Sequence, residues 1–189
     1  MTTTFPKLAN PQTRRWTREE FYQLAEDGWF EGQRVLLLEG EIIQTPPMKH
    51  PHALAVAKVV DVMRKLFPDS WIRQDMPLNA TDDSDPEPDI AVLEKPMSAY
   101  RDHPETAVLI IEVSDTSVNL DRRKASVYAE ANVQDYWILN IRDNQLEVFR
   151  QPDRSARKYT DQQIIPATGS IAPLVKPLAV IAVVEMLPT

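Results

Sequence analysis

A chain of 189 residues can bury one sizeable core and is short for two independent ones. Its 43% hydrophobic and 26% charged residues exclude a disordered tail, and no apolar run reaches the roughly 20 residues that a spanning helix needs. The absence of cysteine removes disulfides, thiolate metal sites and cysteine nucleophiles, while 28 acidic against 21 basic residues give a net charge of −7, the sign opposite to what phosphate contacts ask for.

The first element reads as a helix. Thr17 and Glu20 form a capping-box pair, with Trp16 and Phe21 placed as a hydrophobic staple around it. Residues 34–44 read as two short strands meeting at Glu39-Gly40. Over residues 52–67, Val56, Val59, Val60, Met63, Leu66 and Phe67 recur at helical spacing, predicting an amphipathic helix after Pro51. Strands follow at residues 70–75, 89–93 and 107–114. The last contains Val108 to Ile111 and has the composition of a central strand buried on both faces. Residues 121–131 predict a helix and 135–141 another buried strand. Asp143-Asn144 then turns into a hairpin partner at 145–149. Short strands and a helical turn near 183–187 complete the chain. The expected fold is α/β: a core of helix, three strands, helix and strand with a mixed sheet, carrying extra N-terminal and C-terminal strands. We expect one domain over residues 1–189, its core at about 34–150.

Two carboxylates stand where a bland fold does not need them. Glu112 ends the apolar run 108–111, and a charge at the end of a buried strand costs several kcal/mol unless something pairs with it. Asp89 opens its strand directly after Pro88. If those strands are neighbours their backbones lie about 4.8 Å apart, so both carboxylates could reach one hard cation such as magnesium or manganese. Lys124 falls on the apolar stripe of its helix, four residues after Leu120 and three before Val127. Placed inward it could orient or activate water and offset charge on a phosphoryl transition state. Each residue also has an ordinary reading: a salt-bridge partner at a strand end, or a lysine whose stem lies on the apolar face with its head in water. The run Asp82, Asp83, Asp85, Glu87 lacks the glycine and final glutamate of a calcium loop and reads as a solvated loop.

These residues carry a family resemblance. Pro86-Glu87-Pro88-Asp89 resembles the first half of the PD-(D/E)XK nuclease signature, and Ile110-Ile111-Glu112-Val113-Ser114 resembles the second half. Ser114 stands where that signature has lysine. In the Uma-two family of restriction endonuclease-like proteins the lysine has moved to the next helix, where Lys124 followed by Tyr128 matches it. Arg34 to Gly40, His52, Gln74 with Pro77-Leu78, and Tyr136-Trp137 match as well, so the resemblance runs from about Trp16 to Pro188. It implies a Mg2+ or Mn2+ site of Asp89 and Glu112, with Lys124 as third catalytic element. Glu39 is then either a further ligand through water or an exposed turn residue. His52 is either a helix-cap or surface residue or a contact to phosphate or metal. Gln74 and Tyr128 are accessory candidates.

The leading expectation is a metal-dependent endonuclease hydrolysing phosphodiester bonds of DNA. The rival is a catalytically silent nucleic-acid-binding or assembly module on the same fold, which the negative charge favours. Glycoside hydrolysis by a carboxylate pair ranks third, because it needs aromatic sugar platforms and the tryptophans sit mostly in core-like patterns. Cutting both strands of a duplex favours a homodimer, with Val148 and Phe149 or the N-terminal strands as the contact. Residues 1–10 lack a secretory layout, so a cytoplasmic setting is expected. Lys124→Ala is expected to keep the fold at little cost, since alanine is the better helix former.

Overall fold

The computed structural model describes residues 12–68 and 72–188. Helix α1 (Arg18–Glu26) begins at Thr17, whose hydroxyl accepts from the Glu20 amide while the Glu20 carboxylate accepts from the Thr17 amide. Phe21 is the buried residue of that helix, and its ring stacks on Phe30. Strands β1 (Val35–Leu38) and β2 (Glu41–Gln44) form an antiparallel hairpin closed by Glu39 and Gly40, both with positive φ. A two-residue turn of this hand suits the twist of a hairpin. Gly40 is also required by space, because a Cβ there would meet the Arg15 Cβ at 2.6 Å.

Helix α2 (His50–Leu66) starts two residues earlier than the sequence suggested, since Pro51 sits in its first turn, where a missing N–H costs nothing. Six strands make one sheet in the order β3 (Ile72–Gln74), β4 (Ile90–Val92), β5 (Leu109–Ser114), β6 (Asp135–Asn140), β7 (Gln145–Asp153), β8 (Lys158–Pro166). All neighbours are antiparallel except β5 and β6, which are parallel and joined by helix α3 (Val118–Glu130). The sheet is mixed, as expected. Of the predicted strand 70–75, Ser70 lies outside the described residues together with Trp71. Strand β8 is longer than the short tail strands anticipated. Beyond it, β9 (Ser170–Ile171) pairs with β10 (Ile181–Ala182), and a 3-10 turn follows at Val183–Glu185.

The period of two along each strand divides the core. Ile90, Val92, Ile111 and Val113 pack with α2 on one face of the sheet. Ala91, Leu93, Ile110 and Ile138 face Tyr128 and Ala129 of α3 on the other. The β1–β2 hairpin places Leu36 and Leu38 against Val127 of α3. Val148 and Phe149 are buried in these two cores, because β7 is an inner strand covered on both faces. They offer no surface for a second copy. Among the described residues no helix is long and apolar enough to cross a membrane.

Candidate active site

The register Ile90↔Ile111 between β4 and β5 sets Asp89 across from Glu112 at the mouth of the strand pair. Alternation then decides direction: Glu112 shares a strand face with Ile110 and Ser114, the face that α3 covers. From α3, Lys124 donates to Glu112 Oε1 at 2.9 Å and Tyr128 donates its hydroxyl to the same oxygen at 2.7 Å. Among the described residues Glu112 Oε2 keeps only a long 3.5 Å contact from the Asp89 amide. Asp89 Oδ2 accepts from the Val113 amide at 2.7 Å, and Asp89 Oδ1 lies 3.1 Å from His52 Nε2, in the first turn of α2.

Asp121 completes the group. Its Oδ1 lies 3.2 Å from Lys124 Nζ, and its Oδ2 accepts from the Ser117 hydroxyl at 2.8 Å. The Ser117 hydroxyl is in turn 3.3 Å from that of Ser114. The set opens onto a cavity of about 260 Å³ lined by Arg34, Lys49, His52 and Glu87 together with Asp89, Glu112, Asp121 and Lys124.

Burial dominates the electrostatics. It pushes the Glu112 carboxyl up, and the nearby ammonium of Lys124 opposes that only in part. The Lys124 amine would be lowered by its own burial, but Glu112, Asp121 and Asp89 outweigh this and raise it, so it is held as an ammonium. Burial likewise lowers His52, and the bond to Asp89 with the carboxylates behind it reverses the sign to a net rise. Tyr128 stays a neutral donor, raised by burial and by the charge of Glu112. Glu87, on the cavity wall, is raised by burial.

The model of the Uma2 family, described as "Putative restriction endonuclease", matches residues 18–183. The chain belongs to this family. Comparison with curated proteins gives no match. A solved structure described as a "putative nuclease belonging to DUF820", from Anabaena variabilis, is 15% identical to this chain, with 90% of this chain and 97% of that one covered and a TM-score of 0.69. At that identity the likeness is one of fold.

In this Uma2 chain Asp89, Glu112, Lys124 and His52 line one cavity, Tyr128 bonds Glu112 from behind its wall, and two of the named candidates do not join them. Glu39 turns away from it. Its carboxylate takes Arg123, Ser126 and Arg157, on α3 and near β8, and it is not part of the cavity wall. From the positive-φ turn that closes the hairpin, its side chain meets Arg123 and Ser126 of α3. Gln74 sits on edge strand β3, where its oxygen meets Arg64 at 3.5 Å, also outside the cavity wall. Asp121 and Ser117 were missed. The signal for Asp121 was present, since it precedes Lys124 by three residues and Tyr128 by seven, one face of one helix.

Family membership implies a divalent metal, and the chemistry of the site can be compared with that demand. Among the described residues no group of three or more His, Cys, Asp or Glu is arranged to hold an ion. Magnesium, however, is commonly held by one or two carboxylates with water and substrate phosphate filling the remaining positions. Asp89, Glu112 and Asp121 are all buried and face Lys124 as their buried ammonium. That excess of negative charge, with Glu112 Oε2 nearly unclaimed, fits a hard cation at Asp89 and Glu112.

Proposed function

We propose that this protein is an Mg2+- or Mn2+-dependent endonuclease that hydrolyses phosphodiester bonds of DNA. The observation that carries the reading is the convergence of Asp89 and Glu112, on paired strand ends, with the buried Lys124 ammonium 2.9 Å from Glu112. A bound divalent ion would supply Lewis-acid polarisation of the phosphate and a more acidic water. The protein's own groups then divide the work. Asp89 and Glu112 would hold the ion. Tyr128 fixes the Glu112 carboxylate by its hydrogen bond, and the Val113 amide fixes Asp89. Lys124, one of the cavity-lining residues, orients the attacking water and offsets negative charge as the new P–O bond forms and the bond to the leaving oxygen breaks. Arg34 and Lys49 on the cavity wall supply positive charge for flanking phosphates.

One specific observation favours the silent module. Glu112 Oε1 and both oxygens of Asp89 already have protein partners, so the network is satisfied internally except at Glu112 Oε2. The two readings separate in one experiment. Wild type, Glu112→Ala and Glu39→Ala are assayed for cleavage of plasmid and oligonucleotide DNA with manganese, and for manganese binding by calorimetry. Wild type and Glu39→Ala are expected to cleave and to bind the ion at micromolar to millimolar concentration, while Glu112→Ala does neither. No cleavage by wild type across metals and DNA forms would overturn the nuclease reading in favour of the module. Equal binding by Glu112→Ala would remove the metal site.

A further inference from the structure

Lys124 has two carboxylate partners, and the nuclease reading uses only one of them. Glu112 is the partner that a cation would also claim, so it cannot by itself keep the ammonium in place once the site is loaded. Asp121 has no such competing demand. It is 3% exposed, one turn before Lys124 on α3, and its two oxygens are divided between the lysine at 3.2 Å and the Ser117 hydroxyl at 2.8 Å. Its main chain is pinned as well, because the Tyr136 hydroxyl donates to the Asp121 carbonyl at 2.7 Å. Ser117 reaches back to Ser114 on β5, which ties the cradle to the strand that carries Glu112.

We infer that Asp121, oriented by Ser117, is a positioning residue that holds the Lys124 ammonium in the cavity independently of Glu112. The inference rests on the nuclease reading for its catalytic meaning, though the cradle itself is a property of the fold. A lysine ammonium has three protons to donate. Glu112 takes one in a hydrogen bond and Asp121 faces the ammonium as an ion partner at 3.2 Å, which leaves donor capacity for a water or a phosphate oxygen. A long flexible stem is thereby fixed at its tip, the requirement for a group that must act at one point in space.

The test follows the amine directly. Reductive methylation with formaldehyde and borohydride is timed at each lysine by mass spectrometry, with the other lysines as internal reference. Asp121→Asn keeps the shape and removes the charge. Lys124 labelling is expected to rise about tenfold over the reference lysines, the size of effect that losing one facing carboxylate charge has on an amine. Ser117→Ala keeps the charge and loosens the carboxylate, and is expected to raise labelling less, in the same direction. In cleavage assays Asp121→Asn is expected to lower kcat by about tenfold with KM unchanged, and to add nothing further in a Lys124→Ala background. Unchanged Lys124 labelling in a folded Asp121→Asn protein overturns the inference. If that variant does not fold, unchanged labelling in Ser117→Ala overturns it. A wild type that fails to cleave DNA defeats the nuclease reading, and the labelling still decides whether Asp121 holds the lysine.

Discussion

Replacing Lys124 by alanine tests the site and the fold together. Taken as one residue on a helix face, the substitution gains a few tenths of a kcal/mol from helix propensity. The tertiary structure reverses that expectation. The lysine side chain is 6% exposed and its partners Glu112 and Asp121 are 3% and 4% exposed, at 2.9 and 3.2 Å. Removing one partner of a buried pair leaves an uncompensated charge and costs about 3–5 kcal/mol. For a chain of this size, at about 2–4 °C per kcal/mol, Tm is expected to fall by roughly 6–20 °C. Thermal and urea unfolding followed by circular dichroism measure this. Lys124→Met combined with Glu112→Gln, which removes the stranded charge on the strand as well, is expected to be more stable than Lys124→Met alone. Cleavage, compared at a temperature where both proteins are folded, is expected to fall by about 10²-fold or more. A Tm within about 2 °C of wild type would refute the buried-network argument. Robust cleavage indifferent to Lys124 would keep the nuclease and discard the lysine.

Asp135→Ala is expected to cost about 3–5 kcal/mol in urea unfolding, because Asp135 is fully buried and accepts from Arg150, from the Trp137 indole and from the Leu174 amide. A loss below about 1 kcal/mol would show that these donors find other partners. Asp85 gives the pH test. Burial raises its carboxyl, the Tyr22 hydroxyl opposing, while its other oxygen has no partner among the described residues. For an acid whose folded pKa is raised, the stabilising contribution is full below the ordinary aspartate value and is lost as pH rises through the folded one. Asp85→Asn is therefore expected to gain on wild type in urea midpoint as pH climbs from the ordinary aspartate range to neutrality, and a pH-independent difference would contradict the shift.

The sequence by itself determined what local periodicity can encode. The apolar run before Glu112 marks a strand buried on both faces, and the helical stripe through Leu120 and Val127 turns Lys124 inward. Order and joint spacing of Asp89, Glu112, Lys124 and Tyr136-Trp137 carried the resemblance to the family whose model matches the chain. Tertiary structure alone decided who meets whom. Glu39 looks like a turn residue close to the acidic positions, yet its partners Arg123, Ser126 and Arg157 stand more than eighty residues further on, where no local pattern points. Val148 and Phe149 look available on a hairpin until β8 pairs beyond them and makes β7 an inner strand. Lys124 looks replaceable on its helix, and only the approach of β5 from across the core adds the buried Glu112 carboxylate to that of Asp121 one turn before it. The physical reason is the same in each case. Periodicity fixes which face of an element is buried, whereas the charge, burial and partners of a side chain depend on contacts that close only when distant elements pack.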